Sequence, residues 1–415
     1  MKLSDSLPLK ISLMGTLALL MLIPLAMVKG QISERERTAA ESRNEVAASW
    51  GRAQTLSGPF LDFAYEVKVP DEKGKLISQR ERATVYPRSL VYDIELPTQT
   101  LHRSIYDIMV YGAEVAVSGD FIIPAAYGQK ELKDQRVCMG LSDLRSIDGA
   151  VEITLGDQSY SFHSGVKGDH YGGSASLSEP IVLKAALMDG KTVLPFRLSY
   201  RVRGSASLMV KPYGQSTEVK MHSNCPDPSF TGDFLPSERE VTDEGFTARW
   251  SVSEINRGDP DDTSFGVNLL QGVTQYQQTM RSAKYGILII LLVFLAGLAV
   301  ELLGKKKINI VQYLVIGLSL VLFYVLVLSF SEFMRFPLAY ALAALMTVAA
   351  LLGYFRGILR DRSAWLLTAL VALAFLISYV LLQMETYAFL AGTLLLFVLL
   401  VGIMYLTRNL TRSES

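Results

Sequence analysis

The chain has 415 residues, of which 50% are hydrophobic and 19% charged, with a mean hydropathy of +0.28. That balance excludes a protein that is water-soluble along its whole length and predicts membrane-spanning segments. The 40 basic and 40 acidic residues cancel, and residues 29–284 hold 29 basic and 34 acidic residues without basic runs, which excludes nucleic acid as a partner.

Apolar stretches give the first structural prediction. A hydrocarbon core about 30 Å thick requires roughly 20 apolar residues in a helix. Six stretches meet or approach that length: residues 11–28, 285–303, 310–330, 336–355, 364–382 and 387–406. The first stretch resembles a signal peptide, but its apolar core of 18 residues is long and no small-x-small cleavage site follows it. We therefore expect a retained N-terminal transmembrane anchor.

Basic residues in the short loops predict the orientation, because Lys and Arg concentrate on the cytoplasmic side. With six spans, ten of them fall on one side: Lys2, Lys10, Lys305, Lys306, Lys307, Arg356, Arg360, Arg362, Arg408 and Arg412. The opposite short loops, 331–335 and 383–386, contain only Arg335. Both termini are therefore expected in the cytoplasm and residues 29–284 in the periplasm of a bacterial inner membrane.

Two amphipathic helices are predicted beside the membrane. Residues 31–54 contain no Pro and carry apolar side chains at a spacing near seven residues. Before the second span, Leu269, Val273, Tyr276 and Met280 repeat at i, i+4, i+7 and i+11. Both helices leave the same leaflet, so two interpretations stay open: they pair as a stalk, or each caps the intervening domain independently.

Between these helices, apolar and polar residues alternate, as in strands with one solvated face. The alternation is clearest at residues 105–110, 115–117, 151–155 and 246–250, and residues 208–211 and 218–221 predict a hairpin across Tyr213-Gly214-Gln215-Ser216. About 200 such residues predict one β-sandwich or two smaller β units. A faint repeat, Ser118-Gly119-Asp120-Phe121 against Thr231-Gly232-Asp233-Phe234, is the argument for two.

The predicted fold class is therefore an α+β membrane protein, with six transmembrane α-helices and a β-rich, sandwich-like periplasmic domain inserted between helices 1 and 2. Its predicted domains are an N-terminal transmembrane anchor (1–28), a periplasmic β-rich domain with flanking stalk helices (29–284) and a five-helix transmembrane bundle with a short cytoplasmic tail (285–415).

Five segments resemble the CreD family of inner-membrane proteins, which are described as cell-envelope-integrity proteins. They are NCPDPSFTGDFLPSEREV at 224–241, QYQQTMRSAKY at 275–285, QYLVIGLSL at 312–320, LSFSE at 328–332 and MYLTRN at 404–409. The resemblance covers essentially the whole chain in order and implies an envelope role without catalytic residues. Two departures are Cys225, where the family more often has Trp, and the segment 56–60, which lacks the usual nearby Pro.

Two sets of residues are candidate sites. One is an interaction loop formed by Gly232, Asp233, Phe234, Leu235 and Pro236. The other is a disulfide between Cys138 and Cys225, the only cysteines, which the oxidising periplasm would permit. The Trp that the family usually has at position 225 argues against the bridge.

The sequence contains only weak matches to catalytic and metal-binding motifs. Ser164 and Lys167 match Ser-x-x-Lys in a loop-like context, and His163, Asp169 and His170 lack a clear fourth ligand, so we expect these residues in solvated loops. No cofactor, metal or catalytic residue is predicted.

The functional hypothesis is a non-enzymatic envelope-integrity protein whose periplasmic domain engages an unidentified periplasmic or membrane protein. The lipid bilayer is its other partner, and homo-oligomerisation is left open by the Ala-rich fourth span. The alternative is a membrane sensor or signalling accessory that reports envelope stress. A transporter or membrane enzyme is the third hypothesis, which the uncharged interiors of the spans disfavour.

Overall fold

The computed structural model describes residues 7–70, 75–103, 106–164, 175–269, 275–304, 308–359 and 362–383, together with positions 393, 397, 401 and 404. The chain divides into two compact units, which we call the helical unit (Met1–Ala40 with Val273–Ser415) and the β unit (Glu41–Gly272). The predicted domain limits at 28/29 and 284/285 followed the expected membrane edge. The packing of the chain instead assigns residues 29–40 and 273–284 to the helical unit.

The helical unit contains most of the helices. They are α1 (Leu7–Leu20), α2 (Leu22–Trp50), α4 (Gln275–Lys284), α5 (Gly286–Gly304), α6 (Ile310–Ser331), α7 (Phe336–Leu359) and α8 (Arg362–Gln383), while α3 (Glu254–Arg257) belongs to the β unit. Among the described residues, four helical segments are long and apolar enough to cross a membrane: Leu9–Trp50, Ile310–Ser331, Phe336–Leu359 and Arg362–Gln383. The pair α4 and α5, bent by 41°, would supply a fifth. The predicted span at 387–406 lies almost wholly outside the described residues, so the number six stays a prediction.

The two predicted amphipathic helices have different outcomes. The first is confirmed, because α2 extends to Trp50 and buries Ile32 and Ala39. The second is correct only in part: α4 buries Tyr276 and packs against α6 and α8, but Leu269 lies in the β unit. The Leu269 amide donates to Ala206 O at 2.7 Å and its side chain is in the core. Four apolar residues at helical spacing do not distinguish a helix face from the buried end of a strand.

The described residues of the β unit form seventeen strands in two sheets. The strands are β1 (Gln54–Pro70), β2 (Leu76–Val85), β3 (Ser89–Leu96), β4 (Thr98–Arg103), β5 (Tyr106–Ile122), β6 (Leu132–Leu141), β7 (Ile147–Leu155), β8 (Gln158–Ser161), β9 (His163–Ser164), β10 (Ala175–Pro180), β11 (Val193–Ser205), β12 (Ser207–Val210), β13 (Ser216–Ser223), β14 (Ser229–Gly232), β15 (Glu238–Thr242), β16 (Gly245–Ser253) and β17 (Phe265–Asn268). Sheet A has the order β14-β17-β12-β1-β6-β10-β9, with β2 paired to β1. Sheet B has the order β15-β16-β13-β3-β5-β11-β7-β8, with β4 paired to β5.

Side chains from both sheets form one hydrophobic core. The alternation predicted from the sequence is present in β11 and β16, where every second residue is buried. Trp250, Tyr92 and Phe121 from sheet B and Phe63 from sheet A belong to the same cluster of buried residues. The predicted α+β class with a large β-rich domain is therefore confirmed, and the β unit is one sandwich.

The suggested internal duplication receives no support from the backbone. Gly119 lies inside β5, opposite Leu90 and Phe196 of the neighbouring strands, whereas Gly232 ends β14 at a φ of +100°. The two tetrapeptides therefore occupy different structural positions, and their similarity is local to the sequence.

The predicted hairpin across residues 213–216 is wrong. The strand before this segment, β12, pairs with β1 and β17 in sheet A, whereas β13 pairs with β3 and β16 in sheet B. The segment is therefore a crossover between sheets. Arg257 holds it by donating to Gly214 O at 2.9 Å and to Pro212 O, and the Gln215 amide donates to Pro87 O at 2.8 Å. Two alternating runs separated by a turn have the same local pattern in either arrangement.

Candidate interaction loop and the family of the chain

The candidate interaction loop Gly232–Pro236 connects β14 to β15 and begins with a backbone conformation that requires glycine. Gly232 has a φ of +100°, and a Cβ there would come within 2.2 Å of Ser264 O and 2.6 Å of Phe265 Cα. A side chain at this position would therefore meet rigid backbone as well as torsional strain. The loop starts at a point where strand β17 approaches closely.

Hydrogen bonds fix both ends of the loop. The Asp233 amide donates to Ser264 O at 2.9 Å, and the Ser264 amide donates to Asp233 Oδ2 at 2.8 Å. At the other end, the Ser237 amide and hydroxyl both donate to Arg249 O, at 2.8 and 3.0 Å. The loop is therefore anchored to the residue that precedes β17 of sheet A and to β16 of sheet B.

Phe234 fastens the middle of the loop to the core. Its carbonyl oxygen accepts a hydrogen bond from Trp250 Nε1 at 3.2 Å. Its ring meets Phe265 edge to face at a centroid distance of 5.9 Å, and Phe265 in turn lies 5.8 Å from Trp250. Trp250 is fully buried, so its indole N–H depends on this carbonyl for a partner.

The next residue points the other way. The side chain of Leu235 is 66% exposed, although its neighbours on both sides are held in place, and Pro236 is half-buried. The structure thus separates two roles that the sequence left together: Phe234 packs the loop onto the sandwich, and Leu235 presents an apolar side chain to solvent.

The strand that follows the loop is an exposed sheet edge. Within the described residues β15 pairs only with β16, and all five of its side chains are exposed. Glu238, Arg239 and Glu240 give it alternating charge, and the Arg239 guanidinium lies 5.9 Å from the centre of the Phe230 ring. Charges on an edge strand oppose unspecific strand addition.

Cys138 and Cys225 are both buried and form no disulfide. Cys138 lies in β6 of sheet A, and Cys225 follows β13 of sheet B, where its Sγ is 3.9 Å from Met109 Sδ. The bridge considered from the sequence is thus not formed in this structure. Burial raises the pKa of the Cys225 thiol, which lowers its reactivity at neutral pH.

The residues examined for catalysis or metal binding do not assemble into a site among those described. His163 is exposed and its Nδ1 lies 2.8 Å from Glu179 Oε2, while Ser164 pairs with Leu177 through the backbone. Lys167, Asp169 and His170 lie outside the described residues. Within the described part of the chain, no group of three or more His, Cys, Asp or Glu side chains could hold a metal ion.

An open groove of about 480 Å³ lies beside β8 and the end of β10. It is lined by Gln158, Ser159, Tyr160, Pro180, Ile181 and Val182. This lining combines weak hydrogen-bonding groups with apolar side chains and supplies no strong acid or base.

Comparison with known proteins identifies the family. The family model described as "Inner membrane protein CreD" matches residues 6–412. The chain is also 30% identical to the inner membrane protein CreD of Escherichia coli (strain K12) over 430 aligned positions, covering 96% of this chain and 92% of that protein. This chain belongs to the CreD family. The CreD-family resemblance seen in the sequence is thereby confirmed, and with it the assignment to the inner membrane.

Similarity to solved structures is much weaker. Two crystal structures of an M1 zinc metallopeptidase from Deinococcus radiodurans align with TM-scores of 0.24 and 0.22, each at 8% identity over 44% of this chain and 42% of the other. Scores at this level carry no argument about the fold or chemistry of the CreD-family chain.

Sequence reasoning missed the residues that hold the loop. Ser264 and Trp250 lie far from it along the chain, and neither stands in a motif that marks it as a support. The one available signal was Gly232, because an isolated Gly at the end of a strand suggests a close backbone approach.

Proposed function

We propose that this CreD-family protein is a non-enzymatic protein of the inner membrane that supports envelope integrity, and that its β unit binds another envelope protein. The β unit is taken to be periplasmic and both termini cytoplasmic, in agreement with the distribution of Lys and Arg in the short loops. Six spans complete that topology.

One observation carries the proposal of a partner. The loop Gly232–Pro236 is held at both ends and in the middle, yet it leaves Leu235 66% exposed. A rigid loop that presents an apolar side chain loses little conformational entropy on binding, and an apolar anchor of this kind is typical of the centre of an interface.

A matched pair of exposed residues tests the proposal. Leu235→Asp should abolish complementation of a deletion strain in a detergent-sensitivity assay, because a charge would have to be buried at the interface. Ile255→Asp is the control, because Ile255 is 93% exposed on α3 and is equally apolar. Equal behaviour of the two variants, at equal abundance, would exclude the loop as the binding surface.

Crosslinking in cells identifies the kind of partner. A photoreactive phenylalanine analogue at position 235 should give a discrete adduct that the same analogue at position 255 does not give. An adduct of twice the chain mass would assign the loop to a homo-oligomer. Any other discrete mass would assign it to a different envelope protein.

The sensor hypothesis is favoured by one feature of the backbone. The helical segment Leu9–Trp50 continues from the helical unit into the first residues of the β unit. A helix without a flexible linker could transmit a change of state along its axis. Two glycines inserted after Ala40 would interrupt that path, so a sensor should lose its response while the protein stays at normal abundance, whereas a purely structural protein should keep its function.

A further inference from the structure

Two charged side chains meet where the helical unit would face the cytoplasm. The Lys10 ammonium in α1 forms an ion pair with the Glu301 carboxylate in α5 and also donates to Ile308 O at 2.9 Å. The hydroxyl of Tyr313 in α6 lies 3.5 Å from the second Glu301 oxygen. The side chains of Lys10 and Glu301 are only 19% and 10% exposed, so the pair is largely withdrawn from solvent.

The rest of the N-terminal helical segment is also closely packed. One stripe of side chains is buried at helical spacing along α1 and α2: Met14, Leu17, Ala18, Met21, Leu25, Val28 and Ile32. This buried stripe packs against two glycines. A Cβ on Gly317 of α6 would come within 2.9 Å of Met21 Sδ, and a Cβ on Gly286 would come within 2.9 Å of Leu25 Cδ1. Small residues at such positions allow membrane helices to approach each other closely.

We propose that Lys10 and Glu301 are an assembly site: the ion pair docks the N-terminal helix onto the bundle, and Glu301 carries neither protons nor ions across the membrane. An acidic residue at the end of a span is otherwise a candidate for transport. Here its counter-ion is supplied by the same chain, from a helix that is itself packed in place. The N-terminal helix is therefore packed as part of the bundle.

A second ion pair of the helical unit contributes less to docking. Arg35 Nε lies 3.6 Å from Glu332 Oε1, and the Arg35 side chain is 54% exposed. A solvated arginine at this distance interacts weakly. The docking contact is therefore the pair at Lys10.

Neutralising one residue of the Lys10–Glu301 pair should lower the stability of the assembled chain, and neutralising both should restore most of it. Lys10→Met leaves the Glu301 carboxylate without its counter-ion in a poorly solvated position, so the apparent melting temperature of the purified full chain should fall by about 5 °C or more. Glu301→Gln should be milder, because a lysine stem can extend its ammonium towards water. The double variant Lys10→Met with Glu301→Gln contains no unpaired charge and should recover most of the loss.

Oxidative crosslinking provides a readout of docking that is independent of function. Cysteines replacing Leu25 and Gly286, in a chain without the native thiols, should crosslink efficiently with Lys10 present, and less with Lys10→Met. The crosslink should return in the double neutral variant. Equal melting temperatures and equal crosslinking in all variants would overturn the docking role.

Complementation by the double neutral variant decides the role of Glu301. If this variant is folded, crosslinks normally and complements the deletion strain, Glu301 serves assembly alone. If it is folded and crosslinks normally but fails to complement, the carboxylate itself is needed and the proposal is wrong. Because stability and crosslinking are measured separately, failure here differs from failure of the proposed partner binding, which Leu235→Asp tests.

Discussion

Several ion pairs on the surface of the β unit differ in exposure from the docking pair of the helical unit. Arg80–Asp134, Arg201–Glu114 and Lys133–Glu66 are each exposed on both partners, and they lie on strands of the sandwich or beside them. Lys10–Glu301 is nearly buried on both partners. Exposed pairs contribute about 0–1 kcal/mol because water solvates each charge as well as its partner does. In the helical unit water is scarce, so one pair can decide assembly.

The comparison teaches that the two units are stabilised by different means. The β unit has a core made from both sheets and can tolerate the loss of most surface charges. The helical unit has apolar side chains inside and outside, so its specificity depends on close packing and on a few polar contacts.

The largest effect is expected in the core of the β unit. Trp250→Ala removes a fully buried indole, its hydrogen bond to Phe234 O and its ring contacts, and should lower the free energy of unfolding by about 3–5 kcal/mol. Thermal unfolding followed by near-UV circular dichroism would measure it. Ile255→Ala, on a fully exposed side chain, is the control and should change nothing measurable. A small effect of Trp250→Ala would contradict a shared core.

A β-unit ion pair with a nearly buried carboxylate should behave differently from the pairs that are exposed on both partners. Asp62 is 4% exposed and pairs with Arg82, which is 41% exposed. Asp62→Asn should therefore cost about 2 kcal/mol, less than a fully buried pair because Arg82 keeps part of its hydration. Asp134→Asn, at the exposed pair, should stay within about 0.5 kcal/mol of the wild type. Equal losses in chemical denaturation would remove exposure as the deciding variable.

The interaction loop offers a contrast within two neighbouring residues. Phe234→Ala should lower the free energy of unfolding by about 1–2 kcal/mol, because a partly buried ring leaves Phe265. Leu235→Ala should leave stability within about 0.5 kcal/mol of the wild type, because this side chain is exposed. Thermal melts of both variants would separate packing from presentation. Comparable destabilisation by both would mean that the loop is a single packed element.

The smallest expected effect is a change in how stability depends on pH under acidic conditions. Hydrogen bonds from the Thr192 amide, the Lys191 amide and the Thr192 hydroxyl lower the pKa of Asp189 from 3.8 to about 2. A depressed pKa stabilises the fold at neutral pH, and this contribution is lost as pH falls from about 4 to about 2. Asp189→Asn should therefore make stability less dependent on pH in that window. Melting temperatures of both proteins at pH 5, 4, 3 and 2 would show whether the two curves converge across that window.

Local patterns predicted many elements but none of the long-range pairings. Alternation identified β5, β7 and β16, and it identified β12 and β13 as strands, yet it joined the last two in a hairpin that does not exist. Periodicity likewise placed Leu269 on a helix, whereas it directly follows β17 and lies in the core of the sandwich. Both errors arise where a local pattern is compatible with two different neighbours in space.

The amino-acid sequence by itself determined the apolar spans, their expected orientation, the β-rich middle and the family, because hydropathy, charge and motifs are properties of neighbouring residues. Tertiary structure alone decided that β12 and β13 lie in different sheets, that Phe234 turns inward while Leu235 turns outward, and that Lys10 meets Glu301. These features join residues distant in the chain, and only the closure of the whole core or bundle brings such residues together.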